Sequence, residues 1–149
     1  MLRKEYAKWS AKPVINALTD LQHHCRTLAD FLTINKELND FRNVVLTFIG
    51  NENNIAHTLI LFGALLRVEV RIACPKEFFL NPLDIKKARE IYRNDNLLKI
   101  IHDTHAAVNG ANVLYKDVWS SIGKDAQNEL TLLKSRFKIN NSSEQPPNN

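Results

Sequence analysis

The fold is decided by residues 44–50, which read Val-Val-Leu-Thr-Phe-Ile-Gly, and by the polar residues Asn-Glu-Asn-Asn at 51–54. A continuous run rich in β-branched side chains is typical of a parallel strand that is buried on both faces. Residues 112–116, Asn-Val-Leu-Tyr-Lys, form a second strand-like segment, which is followed by Asp117. Ligands of open α/β sheets bind where the strands end. The two polar clusters therefore predict a binding site for an amino acid at one edge of a parallel sheet.

The rest of the chain alternates between strand and helix patterns. We predict strands at 44–50, 69–75, 97–101 and 112–117, and helices at 24–38, 53–67, 104–108 and 124–138, with a further helix that begins at Asn81-Pro82. Asn caps free backbone N–H groups there, and Pro is tolerated at the first helical position. The alternation predicts right-handed crossovers in a Rossmann-like α/β fold. Its parallel four-stranded sheet has the expected order 3-2-1-4, with helices on both faces.

The chain is expected to divide into three parts. Residues 1–38 carry an extra strand at 14–18 and the helix 24–38, residues 39–139 form the α/β domain, and residues 140–149 form a disordered tail. The tail has almost no apolar side chain and cannot bury enough surface to order itself. In the helix 24–38, one apolar face is formed by Cys25, Leu28, Ala29 and Leu32.

Composition argues against nucleic-acid and membrane partners. The formal charge is +4, but the 20 basic residues are scattered among 16 acidic ones and form no long cluster. The longest apolar stretch, 55–66, is interrupted by His57 and Thr58 and is shorter than the roughly 20 residues of a membrane helix. Cys25 and Cys74 are expected to be reduced thiols. We expect a cytoplasmic protein, and a lost organellar leader stays an open alternative.

Four segments, in order, resemble the ornithine carbamoyltransferases. They are Pro-Val-Ile-Asn-Ala-Leu-Thr-Asp at 13–20, His-His-Cys-Arg-Thr-Leu-Ala-Asp at 23–30, the polar cluster at 51–54, and Asp-Val-Trp-Ser-Ser-Ile-Gly at 117–123. In that family the last segment reads Asp-x-Trp-x-Ser-Met-Gly and holds the amino-acid end of ornithine. The resemblance implies ornithine or a similar basic amino acid as the ligand, and it implies no cofactor.

The resemblance also implies roles for particular residues. Asp117 would pair with the substrate ammonium, Asn54 would bind the α-amino-carboxylate, and Ser121 with the backbone of Ile122 would complete the ornithine site. Isoleucine replaces the family's methionine at 122, and a backbone contact would survive that change.

On the carbamoyl-phosphate side, the resemblance implies roles for His23 and Arg26. His23 matches the histidine of the family's His-Pro-x-Gln motif, which touches the carbonyl oxygen of carbamoyl phosphate, where a donor stabilises the transition state. Arg26 stands in place of the glutamine. Because arginine has donors but no acceptor, Arg26 cannot accept from the carbamoyl NH2 group. We therefore treat His23 and Arg26 as the remnant of a carbamoyl-phosphate site.

Two other family segments, Ser-x-Arg-Thr and His-Cys-Leu-Pro, do not occur in the 149 residues. We therefore expect no carbamoyl transfer by the chain alone. Two interpretations stay open. The chain is either a piece of a carbamoyltransferase, completed by another chain or by self-association as a homo-oligomer, or a non-enzymatic module that binds a basic amino acid or a partner protein.

Metal and dinucleotide sites are weaker interpretations. His102 and His105, taken together with the 23–25 segment, suggest a zinc site, but two histidines three apart at a strand exit are more often ordinary loop residues, and we expect no metal. A dinucleotide fingerprint needs three glycines after the first strand. The cluster that follows this strand contains only Gly50.

Overall fold

The computed structural model describes residues 2–20, 22–51, 53–76, 80–93 and 95–117. Within these ranges the chain forms four strands: β1 (Val45–Ile49), β2 (Glu69–Ala73), β3 (Leu98–Ile101) and β4 (Val113–Lys116). The helices in the same ranges are α1 (Leu2–Trp9), α2 (His24–Leu38), α3 (Asn54–Leu66), α4 (Pro82–Tyr92) and α5 (Thr104–Val108), with a 3-10 turn at Asp95–Leu97.

The four strands form one parallel sheet in the order β3-β2-β1-β4. The predicted fold and strand order are therefore confirmed. Apart from the strand predicted at 14–18, the predicted strands and helices that fall on described residues agree with the observed ones to within two residues. Strand β1 lies in the middle, where Phe48 pairs with Ile72 of β2 and with Tyr115 of β4. The carboxyl ends of β1 and β4 are adjacent, so residues that follow them lie at the same edge.

Helices cover both faces of the sheet. On one face, Leu46 and Phe48 of β1 pack in the main core with side chains of α2, α3 and α4. On the other face, Ile49 packs against Ala107 of α5, and Thr47 Oγ1 donates a hydrogen bond to the Ala107 carbonyl at 2.8 Å. Strand β1 is buried on both faces, as its continuous apolar run predicts.

Side-chain caps fix where the helices begin. Asn53 Oδ1 accepts from the backbone N–H groups of Ile55 and Ala56 at the start of α3. Asn81 caps α4 in the same way, with Pro82 as the first helical residue, as expected. At the start of α5, Asp103 Oδ1 accepts from the N–H of His105. Each cap satisfies donors that a helix leaves unpaired at its first turn, so these ends are determined by local sequence.

The segment before α2 differs from its prediction. The strand predicted at 14–18 does not form, and these residues pair with no strand of the described sheet. Helix α1 precedes them. The physical reason is that polar side chains tie this segment to helices and not to a sheet edge. Cys25 Sγ donates to the Asn16 carbonyl at 3.5 Å, and Asn54 Nδ2 donates to the Thr19 carbonyl at 2.9 Å.

Helix α2 buries a different face from its most apolar one. The face formed by Cys25, Leu28, Ala29 and Leu32 is exposed, whereas Thr27, Phe31 and Ile34 are buried. The Phe31 ring lies 6.0 Å from the ring of Phe41 and 6.3 Å from that of Phe62. Because aromatic rings bury the largest apolar area, this contact determines which side of α2 meets the core.

The predicted helix 124–138, the tail 140–149, Ser121 and Ile122 lie outside the described residues. Among the residues that are described, no helix is both long and apolar enough to cross a membrane.

Candidate functional site

The candidate site lies at the edge of the sheet where β1 and β4 end. Asn53 Nδ2 donates a hydrogen bond to Asp117 Oδ2 at 2.7 Å, which joins the first polar cluster to the second. Asn53 therefore uses both halves of its amide: the oxygen caps α3 and the nitrogen holds the carboxylate. A carboxylate with one fixed donor keeps further lone pairs for a ligand. The arrangement suits an ammonium group placed beside Asp117.

Asn54, which is predicted to bind the α-amino-carboxylate, follows Asn53 directly but makes its hydrogen bonds with other residues. Its Nδ2 donates to the Thr19 carbonyl at 2.9 Å, and its own carbonyl accepts from Thr58 Oγ1 at 2.5 Å. The contact between the two polar clusters thus comes from Asn53. Asn54 instead holds residues 13–20 against the start of α3.

On the side of Asp117 that faces α2, three further side chains meet. The Tyr115 hydroxyl donates to Asp30 Oδ2 at 2.8 Å, and Arg26 Nε lies 3.8 Å from the same oxygen. The Tyr115 ring also packs on Phe48, with 5.8 Å between the ring centroids. Strand β4 is thereby joined to the first two turns of α2 at Tyr115, two residues before Asp117.

The electrostatics of this cluster keep Tyr115 neutral. Burial, followed by the hydrogen bond to Asp30, raises the pKa of Tyr115 to about 12, although Arg26 acts in the opposite direction. The pKa of Arg26 is raised, chiefly by its contact with Tyr115 and also by the carboxylates of Asp30 and Asp117. At neutral pH the cluster therefore holds one cation, Arg26, and two carboxylates, Asp30 and Asp117.

His23 and Arg26, the predicted carbamoyl-phosphate remnant, both lie at the start of α2. The His23 backbone N–H donates to Thr58 Oγ1 at 2.9 Å, which fixes this end of α2 on α3. His23 Nδ1 is buried and makes no hydrogen bond to the described residues. The adjacent His24 is used structurally: Asn16 Nδ2 lies 3.3 Å from its Nδ1, and its ring lies 6.1 Å from that of Phe62.

Sequence reasoning missed Asn53, Asp30 and Tyr115 as parts of this site. A signal for one of them was present, because Arg26 and Asp30 are four apart on a predicted helix and such pairs are neighbours on its surface. The bond from Tyr115 to Asp30 spans 85 positions and the bond from Asn53 to Asp117 spans 64. Neither pairing has a local signal.

A metal site is not present in the described part of the chain, where no group of three or more His, Cys, Asp or Glu side chains is arranged to hold an ion. His102, one of the histidines considered for zinc, donates from Nδ1 to the Cys74 carbonyl at 2.8 Å. That contact ties the residue after β3 to the residue after β2.

The fold and the strand order agree with one family of proteins. Residues 42–143 match the family model described as "Aspartate/ornithine carbamoyltransferase, Asp/Orn binding domain". The match covers more than half of the chain, and the chain therefore belongs to the aspartate/ornithine carbamoyltransferase family.

Individual relatives are ornithine carbamoyltransferases. The chain is 68% identical over 126 residues to that of Prochlorococcus marinus strain MIT 9312, which covers 85% of the chain and 41% of the relative. It is 38% identical over 139 residues to that of Bacillus cereus, across 93% of the chain and 44% of the relative. The chain thus spans less than half the length of these relatives.

Solved structures agree with this assignment. The anabolic ornithine carbamoyltransferase of Campylobacter jejuni superposes with a TM-score of 0.86 at 28% identity, over 98% of this chain and 49% of the other. The ornithine carbamoyltransferase of Pyrococcus furiosus superposes with a TM-score of 0.83 at 31% identity, over 94% of this chain and 45% of the other.

Proposed function

We propose that this chain is the ornithine-binding part of an ornithine carbamoyltransferase and holds ornithine at the carboxyl edge of its sheet. In the full reaction the δ-amine of ornithine attacks carbamoyl phosphate, and citrulline and phosphate are formed. The observation that carries the proposal is the Asp117 carboxylate, which Asn53 holds at the point where β1 and β4 lie side by side. The family match to the amino-acid-binding domain supports the same placement.

The chemistry of the proposed site follows from its charges. Asp117 pairs with the α-ammonium group through a charge-assisted hydrogen bond, which is about twice as strong as a neutral one. Asn54 provides an amide for the α-amino-carboxylate once its bond to the Thr19 carbonyl is exchanged. Contacts from Ser121 and the Ile122 backbone remain predictions on residues that the structure does not describe. We further propose a cytoplasmic location, which is supported by the two cysteines not being joined in a disulfide bond.

We also propose that the chain alone transfers no carbamoyl group. At the position of Arg26 the family has a glutamine, whose amide can both donate and accept hydrogen bonds. Of the two residues matched to the carbamoyl-phosphate site, only His23 is the same as in the family. Since this chemistry depends on positioning both reactants together, half of a site gives little acceleration. A citrulline assay with the purified chain is expected to read no higher than the same assay with Asp117→Ala.

Ornithine binding is the direct test of the amino-acid site. We expect weak, saturable binding in an NMR titration, because an open half-site leaves the δ-amine in water. Replacement of Asp117 by Asn is expected to weaken binding by about tenfold, the usual cost of losing a charged hydrogen-bond partner. The control is Asp40→Asn, which removes an exposed carboxylate at the opposite edge of the sheet, where Asp40 pairs with Arg42. Equal affinities in the two variants would contradict the proposal.

A second candidate function is supported by an exposed apolar surface formed by Val14, Ile15, Leu18, Leu28 and Leu32. The bond from Cys25 to the Asn16 carbonyl shows that the segment carrying the first three lies against α2, which carries the last two. Contiguous exposed apolar side chains mark protein contacts. The chain then serves as a module that binds a partner protein, either a second copy or a chain that completes the transferase.

A further inference from the structure

The Arg26 guanidinium lies within electrostatic reach of Asp117, because this carboxylate contributes to the raised pKa of Arg26. Tyr115 lies in β4, and Asp117 is the first residue after this strand. The bond from Asn53, which caps α3, holds the Asp117 carboxylate near the start of that helix. Arg26, which approaches the Asp30 carboxylate that Tyr115 holds, reaches the same place from α2.

Arg26 keeps donors for a ligand in this position. Its side chain is 54% exposed, and its Nε is 3.8 Å from Asp30 Oδ2, which is beyond hydrogen-bonding distance. A guanidinium carries five N–H donors in a planar fork, more than Asp30 and Tyr115 can use. The fork matches a carboxylate, with which arginine makes paired hydrogen bonds.

The charges of Arg26, Asp30 and Asp117 indicate which kind of ligand fits this cluster. Asp30 and Asp117 carry two negative charges against the single positive charge of Arg26, so one negative charge is left over. A basic α-amino acid carries two ammonium groups and one carboxylate. Its net positive charge balances the remaining negative charge of the cluster. Its α-ammonium and α-carboxylate groups are bonded to the same carbon atom, so an anionic and a cationic side chain within electrostatic reach of each other can bind both.

We propose that Arg26 binds the α-carboxylate of the amino acid whose α-ammonium group pairs with Asp117. This assignment rests on the proposed function and names the group by which the site distinguishes an amino acid from a simple amine. The glutamine that Arg26 replaces offers an uncharged amide with two donors, so a charge-assisted carboxylate contact is specific to the arginine.

The test compares two ligands that differ by one carboxylate: ornithine and 1,4-diaminobutane, its decarboxylated form. NMR titration of the full chain measures both affinities for the unaltered protein and for Arg26→Gln, Arg26→Lys and Asp117→Asn. We expect Arg26→Gln to weaken ornithine binding about tenfold. The diamine should bind Arg26→Gln as well as before or more tightly, because a repelling cation is gone. Arg26→Lys should keep part of the ornithine affinity, and Asp117→Asn should weaken both ligands.

One control separates binding from a structural effect. Arg42→Gln makes the same substitution at an arginine that also pairs with an aspartate, at the opposite edge of the sheet, and should change neither affinity. Circular dichroism confirms that each variant is folded.

The outcomes are distinct. Loss of ornithine affinity in Arg26→Gln with the diamine retained supports the assignment. Equal loss for both ligands, or no loss for either, overturns it while the Asp117 site stands. If the unaltered chain binds no ornithine at all, the proposed function fails and the assignment of Arg26 fails with it.

Discussion

Tyr115 is the residue whose ionisation reports most directly on the candidate site. Burial and the bond to Asp30 raise its pKa to about 12, above the ordinary value of 10. A raised pKa in the folded state means that the protonated phenol stabilises the fold. This contribution is complete below pH 10 and is lost as the pH rises from there to about 12.

We therefore expect the free energy of unfolding to fall between pH 10 and 12, and to fall less in Tyr115→Phe, which has no phenol to ionise at this position. Urea unfolding at several pH values measures the difference between the two proteins. A parallel absorbance titration of the phenolate should lose its step near pH 12 in the variant. Identical pH profiles for both proteins would show that Tyr115 does not couple ionisation to folding.

At the scale of elements, Gly63 determines how closely α3 approaches β2 and α4. A Cβ atom on this glycine would lie 2.2 Å from Val70 Cγ2 and 3.0 Å from the Tyr92 hydroxyl. Tyr92 is itself fixed, because its hydroxyl donates to the Val68 carbonyl at 2.6 Å. Neither neighbour has room to move away, so the helix and the strand pack directly on each other here.

Replacement of Gly63 by Ala sets two effects against each other. Alanine favours a helix interior by about 1 kcal/mol over glycine. Overpacking a close-packed core costs about 1–3 kcal/mol, and a 2.2 Å contact places this site at the upper end. We expect a net loss of about 1–2 kcal/mol in the free energy of unfolding, measured with urea.

The control for this change lies on the same helix. Leu65 is 63% exposed, so Leu65→Ala removes little buried surface and should change stability by less than about 0.5 kcal/mol. A Gly63→Ala protein that is as stable as the Leu65→Ala protein would mean that α3 can shift away from β2.

At the scale of the whole molecule, the apolar surface formed by Val14, Ile15, Leu18, Leu28 and Leu32 is the strongest indication of a partner. The strand predicted at 14–18 would have presented an unpaired backbone edge, which invites pairing with another chain. No strand forms there, yet Ile15 is 78% exposed, so the same segment presents side chains instead of an open backbone edge. The region aligned with this protein covers less than half of each solved relative's chain.

We therefore expect the chain to self-associate, with an average mass in light scattering that rises with concentration. The double variant Val14→Glu, Ile15→Glu should lower this mass because it places charges in the apolar surface. Leu83→Glu is the matched control, since Leu83 is 65% exposed on α4, away from this surface, and should leave the mass unchanged. A strictly monomeric unaltered chain at high concentration would argue against the partner module and leave the amino-acid site as the proposed function.

Several features of this protein followed from the sequence alone. The β-branched run at 44–50, the cap at Asn81 and the alternation of strand and helix patterns predict the four strands, α2 to α5 and the order 3-2-1-4. These signals are local: a cap or a buried strand depends on residues within one or two turns of it. The position of the candidate site also followed, because parallel strands must bring the residues after β1 and β4 to one edge.

Only the tertiary structure decided which side chains meet at that edge. It joins Asp117 to Asn53 and not to Asn54, it buries Phe31 of α2 in place of Leu28, and it brings Arg26 and Asp30 to Tyr115. Each of these choices depends on distances between groups that are far apart along the chain. A short sequence pattern carries no information about such distances, and they are fixed only when α2 and α3 pack on the same face of the sheet.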